Sequence, residues 1–220
     1  KDLMQDMKRH AAWDVLLSRY VTPNGEVDYE GLKDNQTALT TYLEYLSAHP
    51  PEAGENKERE LSYWINTYNA HTIALIVNNY PLHSIRDLYG GKPWDEKWIK
   101  INSRIYSLND IEHGIIRKRF RDPRIHFAVN CAAKSCPPLA NKAFTASNYE
   151  QLINQLTTTF INNPKYNQVE SDQANLSKIF EWYADDFGDL ISYVNRYSNI
   201  KLKPDAAISY DDYDWSLNGR

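Results

Sequence analysis

Residues 61–85 read LSYWINTYNAHTIALIVNNYPLHSI and contain no Lys, Arg, Asp or Glu. One stripe of this segment follows the three- and four-residue spacing of an α-helix, with Leu61, Trp64, Ile65, Tyr68, Thr72, Leu75 and Ile76. A second stripe carries Asn66, Asn69, Ile73 and Val77, so the helix is apolar or uncharged all round. The pattern predicts a central buried helix from about Glu58 to Tyr80.

Asn66 and Asn69 lie on this predicted helix and must find partners for their amides, because buried polar groups are almost always hydrogen-bonded. Two interpretations are open. The amides bind neighbouring backbone and are structural, or they orient a catalytic or ligand-binding group.

Other segments alternate between helical and extended patterns. Asn102-Ser103 separates two short apolar runs and predicts a hairpin over 97–106. Ile125, Phe127 and Val129 alternate with His126 and predict a strand over 124–130. Further helices are expected over 2–20, 35–48, 107–120, 147–163, 176–187 and 188–198. These elements predict an α+β fold in which the central buried helix and surrounding helices pack on a small antiparallel sheet formed by the hairpin and 124–130.

Composition narrows the functional classes. A chain of 220 residues favours a single domain over 1–220, and a net charge of −4 gives no electrostatic reason to expect nucleic-acid binding. No apolar run is long enough to span a membrane. The 16 Tyr and 6 Trp are residues that often line peptide or carbohydrate grooves, although a tyrosine-rich rim of the core is the favoured explanation.

The segment DPRIHFAVNCAAKSCPPL, residues 122–139, concentrates the chemistry-bearing residues. Both cysteines of the chain, Cys131 and Cys136, follow the predicted strand that carries His126. Loops at strand ends commonly hold functional groups. The spacing of the two cysteines permits a local disulfide or two free thiols, and the sequence does not choose between them.

Five segments taken together resemble the family known as domain of unknown function 547. They are YWINTYNAHTIALI, YSLNDIEHGIIRKRF, DPRIHFAVNCAAKSCPPL, LSKIFEWYADDF and YDWSLN, and they include the motif Asn-Cys-x-x-x-Ser-Cys-Pro at 130–137. The resemblance covers 61–218 as the family core, with 1–60 as an N-terminal helical lead-in. It implies a periplasmic or secreted location, with an export signal removed. A looser similarity to papain and transglutaminase-like proteins implies a histidine on a sheet strand, although the predicted central helix here carries no cysteine.

One hypothesis from these residues is a cysteine-dependent hydrolase that acts on peptide or amide bonds. Cys131 or Cys136 is then the nucleophile, and His126 or His113 is the base that forms the thiolate. A third group has to orient the imidazole. The candidates for that role are Glu112, Asn66 and Asn69.

The alternative is a non-catalytic module that binds a peptide or glycan, with Cys131 and Cys136 joined in a disulfide. In that module His126, His113 and Glu112 form the cleft together with Tyr and Trp side chains. Its candidate binding residues are Asn69, Asn130, Ser135, Cys136, Trp64 and Tyr68. A zinc site formed by Glu112, His113, His126 and a cysteine is disfavoured, because adjacent residues on a helix point about 100° apart. No metal or cofactor is therefore predicted, and the oligomeric state is open.

Overall fold

The helix α4, Lys57–Asn79, is the centre of the fold in the computed structural model, which describes residues 2–220. The Asn56 side chain accepts a hydrogen bond from the Arg59 N–H at 3.0 Å and so begins the helix. Every residue from Leu61 to Val77 is buried. The predicted central helix is confirmed, because a segment without charge can be surrounded by protein on all sides.

The N-terminal helices cover one side of α4. They are α1 (Asp2–Tyr20), α2 (Tyr29–Asp34) and α3 (Gln36–Ala48). Trp13, Leu17 and Leu46 are almost fully buried where these helices meet α4. The helices predicted over 2–20 and 35–48 are confirmed.

The strands form two small sheets. The first is a hairpin of β1 (Ile99–Ile101) and β2 (Arg104–Tyr106), antiparallel with Ile99 opposite Tyr106. The second contains β3 (Gln168–Val169), β4 (Gln173–Leu176) and β5 (Ala207–Tyr210). Strand β4 pairs antiparallel with β3 and parallel with β5. The α+β class and the hairpin are confirmed, whereas the three-stranded sheet was not predicted and is mixed.

The prediction of a strand over 124–130 is wrong. Residues Pro123–Phe127 form a short 3₁₀-helix, which begins because Asp122 accepts a hydrogen bond from the Arg124 N–H and Pro123 occupies the first helical position. Ile125 packs into the core around α4, and Phe127 packs into a second apolar cluster formed by the C-terminal half of the chain. His126 between them is also buried. The alternation therefore reflects two cores on either side of the segment.

The C-terminal helices build the second cluster. They are α5 (Tyr149–Asn162), α6 (Lys178–Trp182), α7 (Ala184–Phe187) and α8 (Leu190–Tyr197). The segment predicted as one helix over 176–187 is interrupted at Tyr183, and its first residue ends β4. Phe160, Phe180 and Phe187 are buried together in this cluster.

The helix Asp110–Phe120 is wound with the wider π-type hydrogen bonding. It follows a reciprocal cap, in which the Asp110 N–H donates to Ser107 Oγ at 3.0 Å and the Ser107 N–H donates to Asp110 Oδ2 at 2.8 Å. π-Helical turns are rare and occur frequently at functional sites. None of the helices among residues 2–220 is both long and apolar enough to cross a bilayer.

Candidate binding cleft

A cavity of about 250 Å³ opens between the π-helix, the 122–139 segment, α6 and the C-terminal tail. Its polar lining includes Glu112, His113 and His126, and the disulfide-bonded Cys131 and Cys136 line it as well. Tyr68 reaches it from α4. The structure therefore brings together many of the residues that the sequence singled out.

Three aromatic side chains of the cavity come from segments far apart in the chain and pack around a fourth. Trp215 in the tail lies 5.4 Å from Trp94, 6.0 Å from Trp182 and 4.8 Å from Tyr213 between ring centroids. We call Trp94, Trp182, Tyr213 and Trp215 the aromatic wall. Trp182 is 45% exposed, unusual for so large an aromatic side chain. The sequence did not single out any of these four residues as a site residue.

The tail is held against the cysteine loop by backbone hydrogen bonds. The Lys134 N–H donates to the Ser216 carbonyl at 2.8 Å, and the Asn218 N–H donates to the Ala132 carbonyl at 2.9 Å. The Asp214 N–H donates to Ser135 Oγ at 2.8 Å. Ser135 thus fixes the tail and does not line the cavity, while the tail contributes Tyr213 and Trp215 to the wall.

Cys131 and Cys136 form a disulfide, with their Cα atoms 6.2 Å apart. The Cys131 N–H also donates to Cys136 Sγ at 2.9 Å, and the Tyr213 hydroxyl lies 3.3 Å from Cys131 Sγ. A sulfur in a disulfide is not a thiolate, so neither cysteine is a nucleophile in this form. The alternative that the sequence left open is decided here in favour of the disulfide.

His126 pairs with an acid that the sequence analysis missed. His126 Nε2 lies 2.7 Å from Asp186 Oδ2, and Arg117 donates to both oxygens of the same carboxylate, from Nε at 2.7 Å and from Nη2 at 3.0 Å. Burial raises the pKa of Asp186, but the hydrogen bonds from Arg117 and His126 outweigh it and hold that pKa below its usual range. Asp186 is therefore ionised, and it fixes the proton of a neutral His126 on Nε2.

Burial lowers the pKa of His126 to about 4, against the opposing influence of Asp186. With its proton on Nε2, the imidazole presents Nδ1 as an acceptor, and this buried atom has no hydrogen-bond partner within the described part of the chain. The Tyr183 ring stacks on the imidazole at a centroid distance of 4.0 Å. His126 is thus rigidly held, with one nitrogen uncommitted.

Glu112 and His113 lie on the π-helix beside this pair. Arg117 Nη1 lies 2.9 Å from His113 Nδ1, so the imidazole accepts there, and its Nε2 is 3.4 Å from Glu112 Oε2. The two adjacent side chains converge, and the expectation that they point apart is wrong. Burial raises the pKa of Glu112 to about 7, and burial together with Arg117 lowers the pKa of His113.

Within 2–220, no cluster of three or more His, Cys, Asp and Glu side chains has an arrangement suited to a metal ion.

The asparagines that the sequence assigned to the site lie behind the cavity. Asn69 Nδ2 donates to the Ala128 carbonyl and its Oδ1 accepts from the Asn130 N–H, both at 2.9 Å. Asn66 makes the same two-bond contact with the backbone of Phe144, at 2.7 and 3.0 Å. Asn130 accepts from the Ala132 N–H at 2.9 Å. All three are buried and committed to backbone, and the side chain that contacts the His126 imidazole is Asp186 rather than Asn66 or Asn69.

Trp64 also lies away from the cavity. It is buried against Tyr63 and Tyr106, with centroid distances of 5.0 and 5.9 Å. Its helical neighbour Tyr68, one turn further along α4, lines the cavity. Trp64 is therefore a core side chain that does not line this cavity, and its binding role stays a prediction.

Residues 53–161 match the family described as "Protein of unknown function, DUF547". This part of the chain belongs to that family. The DUF547 match includes α4, the π-helix and the disulfide loop, but it ends before Trp182, Asp186 and the tail. Among curated proteins and solved structures, none matches the chain significantly. The similarity to papain and transglutaminase-like proteins stays a prediction, and the strand on which it placed His126 is a 3₁₀-helix.

Proposed function

We propose that the protein is an extracytoplasmic binding module whose cleft holds a segment of a peptide or glycan against the aromatic wall. The observation that carries the proposal is the composition of the cavity, which is lined by four clustered aromatic side chains together with Glu112, His113 and His126. Ligand sites are typically apolar clefts with a few converging polar groups. Trp182 lines the cavity and is also 45% exposed.

The disulfide supports binding over thiol catalysis and supports the proposed location. Disulfides persist in oxidising compartments such as the periplasm and the cell exterior. The bond also stiffens the loop that holds Cys131 at the cavity, and a rigid lining reduces the entropy lost when a ligand binds. The absence of a thiol in this form leaves the aromatic and polar lining as the means of recognition.

The experiment is a binding screen read by tryptophan fluorescence, with short peptides and neutral oligosaccharides as probes. Trp94, Trp182 and Trp215 in the cavity report occupancy directly. The Trp182→Ala variant is expected to weaken binding about tenfold or more, since a desolvated aromatic anchor is worth about 2 kcal/mol or more. Tyr45→Ala removes a 40% exposed aromatic ring outside the cavity and serves as the matched control. Equal binding by both variants, or no binding by any probe, would refute the proposal.

A second candidate is a thiol hydrolase that is active only after reduction. Cys131 and His126 line the same cavity, and Asp186 holds the imidazole with Nδ1 uncommitted. A dithiol reductant would convert the disulfide to two thiols and become a disulfide itself. The Cys131 thiol would then attack an amide carbonyl and pass its proton through His126 Nδ1 to the leaving amine, and water would hydrolyse the resulting thioester.

The two candidates are separated by labelling the folded protein with an iodoacetamide probe after mild reduction by dithiothreitol. The hydrolase predicts fast labelling of Cys131 that slows about tenfold or more in His126→Gln, because an unassisted thiol has a pKa near 8.5. The Cys131→Ser variant identifies the labelled sulfur. Labelling at the rate of an ordinary thiol, unaffected by His126, would remove this candidate and leave the binding module.

A further inference from the structure

The charge in the cavity is unbalanced when Glu112 is ionised. Among the described residues, no lysine or arginine lines the cavity. Arg117, which contacts His113, makes two hydrogen bonds to Asp186, so that this ion pair is neutral as a whole. His113 and His126 are neutral at physiological pH, because burial lowers the pKa of each. In its ionised form, the Glu112 carboxylate therefore lines the cavity without a lysine or arginine beside it, and a bound cation would favour that form.

The aromatic rings that line the cavity with this carboxylate also favour a positively charged ligand. Aromatic faces carry negative electrostatic potential and attract cations, most strongly alkylammonium and guanidinium groups. Two rings of the cavity already contact cations of the protein itself. The Arg86 guanidinium lies 5.1 Å from the Trp215 centroid, and the Arg117 guanidinium lies 4.9 Å from the Tyr183 centroid. Among residues 2–220, no lysine or arginine lies over the rings of Trp94, Trp182 and Tyr213.

We propose that the cleft binds an alkylammonium group, as carried by a lysine side chain or a methylated amine, with the charge against Glu112 and the carbon stem against the aromatic wall. This inference rests on the proposed binding function and names its ligand chemistry. A neutral sugar would satisfy the aromatic rings but leave the Glu112 carboxylate without a counter-ion. A lysine-containing peptide supplies both an apolar stem and a cation.

The test uses three probes that share one capped backbone and an unbranched four-carbon stem, and it measures affinity by fluorescence and calorimetry. They are Nα-acetyl-lysine-N-methylamide, its ε-trimethyl derivative and the uncharged Nα-acetyl-norleucine-N-methylamide. Both lysine probes are expected to bind about tenfold or more tightly than norleucine, because the cation gains a desolvated aromatic and carboxylate environment. Butylammonium is added as a fourth probe, to distinguish a peptide side chain from a free amine.

The variant Glu112→Gln removes the charge and keeps the shape. It is expected to lose about tenfold or more in affinity for the lysine probes and so to lose the preference for lysine over norleucine. Glu181→Gln, which removes an exposed carboxylate of α6 outside the cavity, is the matched control and should leave every affinity unchanged. A thermal melt of each variant verifies that it is folded.

The outcomes separate this inference from the function on which it rests. If norleucine or a neutral oligosaccharide binds as well as lysine, and Trp182→Ala abolishes that binding, the ammonium inference is refuted and the binding cleft stands. If Glu112→Gln and Glu181→Gln weaken lysine binding equally, Glu112 is not the counter-ion and the inference is also refuted. If no probe or oligosaccharide binds, both proposals fail.

Discussion

His126 and Asp186 are sixty residues apart in the chain, and His126 Nε2 lies 2.7 Å from Asp186 Oδ2. The contact joins the DUF547 segment, which carries His126, to the C-terminal region outside the family match, which carries Asp186. Asp186 also binds Arg117 on the π-helix. One carboxylate thus connects the three elements that surround the polar end of the cavity.

Replacing Asp186 with Ala should therefore disturb both the cavity and the fold. The Arg117 guanidinium loses its partner and His126 loses the acceptor of its Nε2 proton, so the free energy of unfolding should fall by about 1–3 kcal/mol. Urea denaturation measures this loss, and ¹⁵N NMR of the imidazole reports the tautomer. Asp185→Ala, at the exposed neighbouring position, should change stability by no more than about 0.5 kcal/mol. An unchanged His126 tautomer in Asp186→Ala would contradict the assignment.

Glu112 should make the protein less stable as the pH rises. Burial raises its pKa from 4.5 to about 7 in the folded state, so the folded protein holds a proton that the unfolded chain has already released. Between pH 4.5 and 7 the free energy of unfolding should fall, by up to about 3 kcal/mol from this group alone. The charged and titratable groups that influence it are Arg117, Asp186, His113, Tyr183, Tyr68 and Tyr213.

Glu112→Gln isolates this contribution. The variant should approach wild-type stability below pH 4.5 and exceed it above pH 7, because glutamine stays neutral while the wild-type carboxyl must ionise. Urea unfolding at pH 4.5 and pH 8 gives the two differences, and Glu181→Gln again controls for the loss of an exposed charge. A difference that does not grow with pH would mean that Glu112 ionises normally in the folded protein.

The sequence was sufficient to predict much of the fold, because α4 is marked by an absence of charge that only a buried helix explains. It predicted that Asn66, Asn69, His113, His126 and Cys131 converge, and His113, His126 and Cys131 do line one cavity, whereas Asn66 and Asn69 bind backbone behind it. It failed at 124–130, where the helix-start signal Asp122-Pro123 competes with an apolar alternation and the former decides the local structure.

The other half of the cavity could not be derived from local patterns. Asp186 lies in the run ADDF, which by itself is typical of a solvated helix face, and Trp94 and Trp215 reach the wall only through tertiary contacts. The family resemblance gave an indirect indication of these residues. LSKIFEWYADDF and YDWSLN are two of the segments that carry the family resemblance, and those segments supply Trp182, Asp186, Tyr213 and Trp215.

The disulfide should resist alkylation and contribute to stability. Under denaturing conditions without reductant, mass spectrometry should detect no alkylated cysteine in the monomer, whereas two adducts would show that both thiols are free. The double variant Cys131→Ser/Cys136→Ser should unfold about 2 kcal/mol more easily, the chain-entropy value for so short a loop. Wild-type protein treated with reductant should match the double variant, which separates the covalent bond from the effect of the serines.

Asn69 tests whether the buried amides of α4 are structural. Within the described residues, the Asn69 side chain is the one side chain that bonds the Ala128 carbonyl and the Asn130 N–H. Asn69→Ala therefore leaves both buried groups unpaired. The free energy of unfolding should fall by about 2–6 kcal/mol, since each of the two unsatisfied buried groups costs about 1–3 kcal/mol. Asn79→Ala on the same helix removes one partly buried bond to the Leu75 carbonyl and should cost less than about 1 kcal/mol. If Asn69→Ala is as stable as Asn79→Ala but loses ligand binding, Asn69 acts in recognition and the structural interpretation fails.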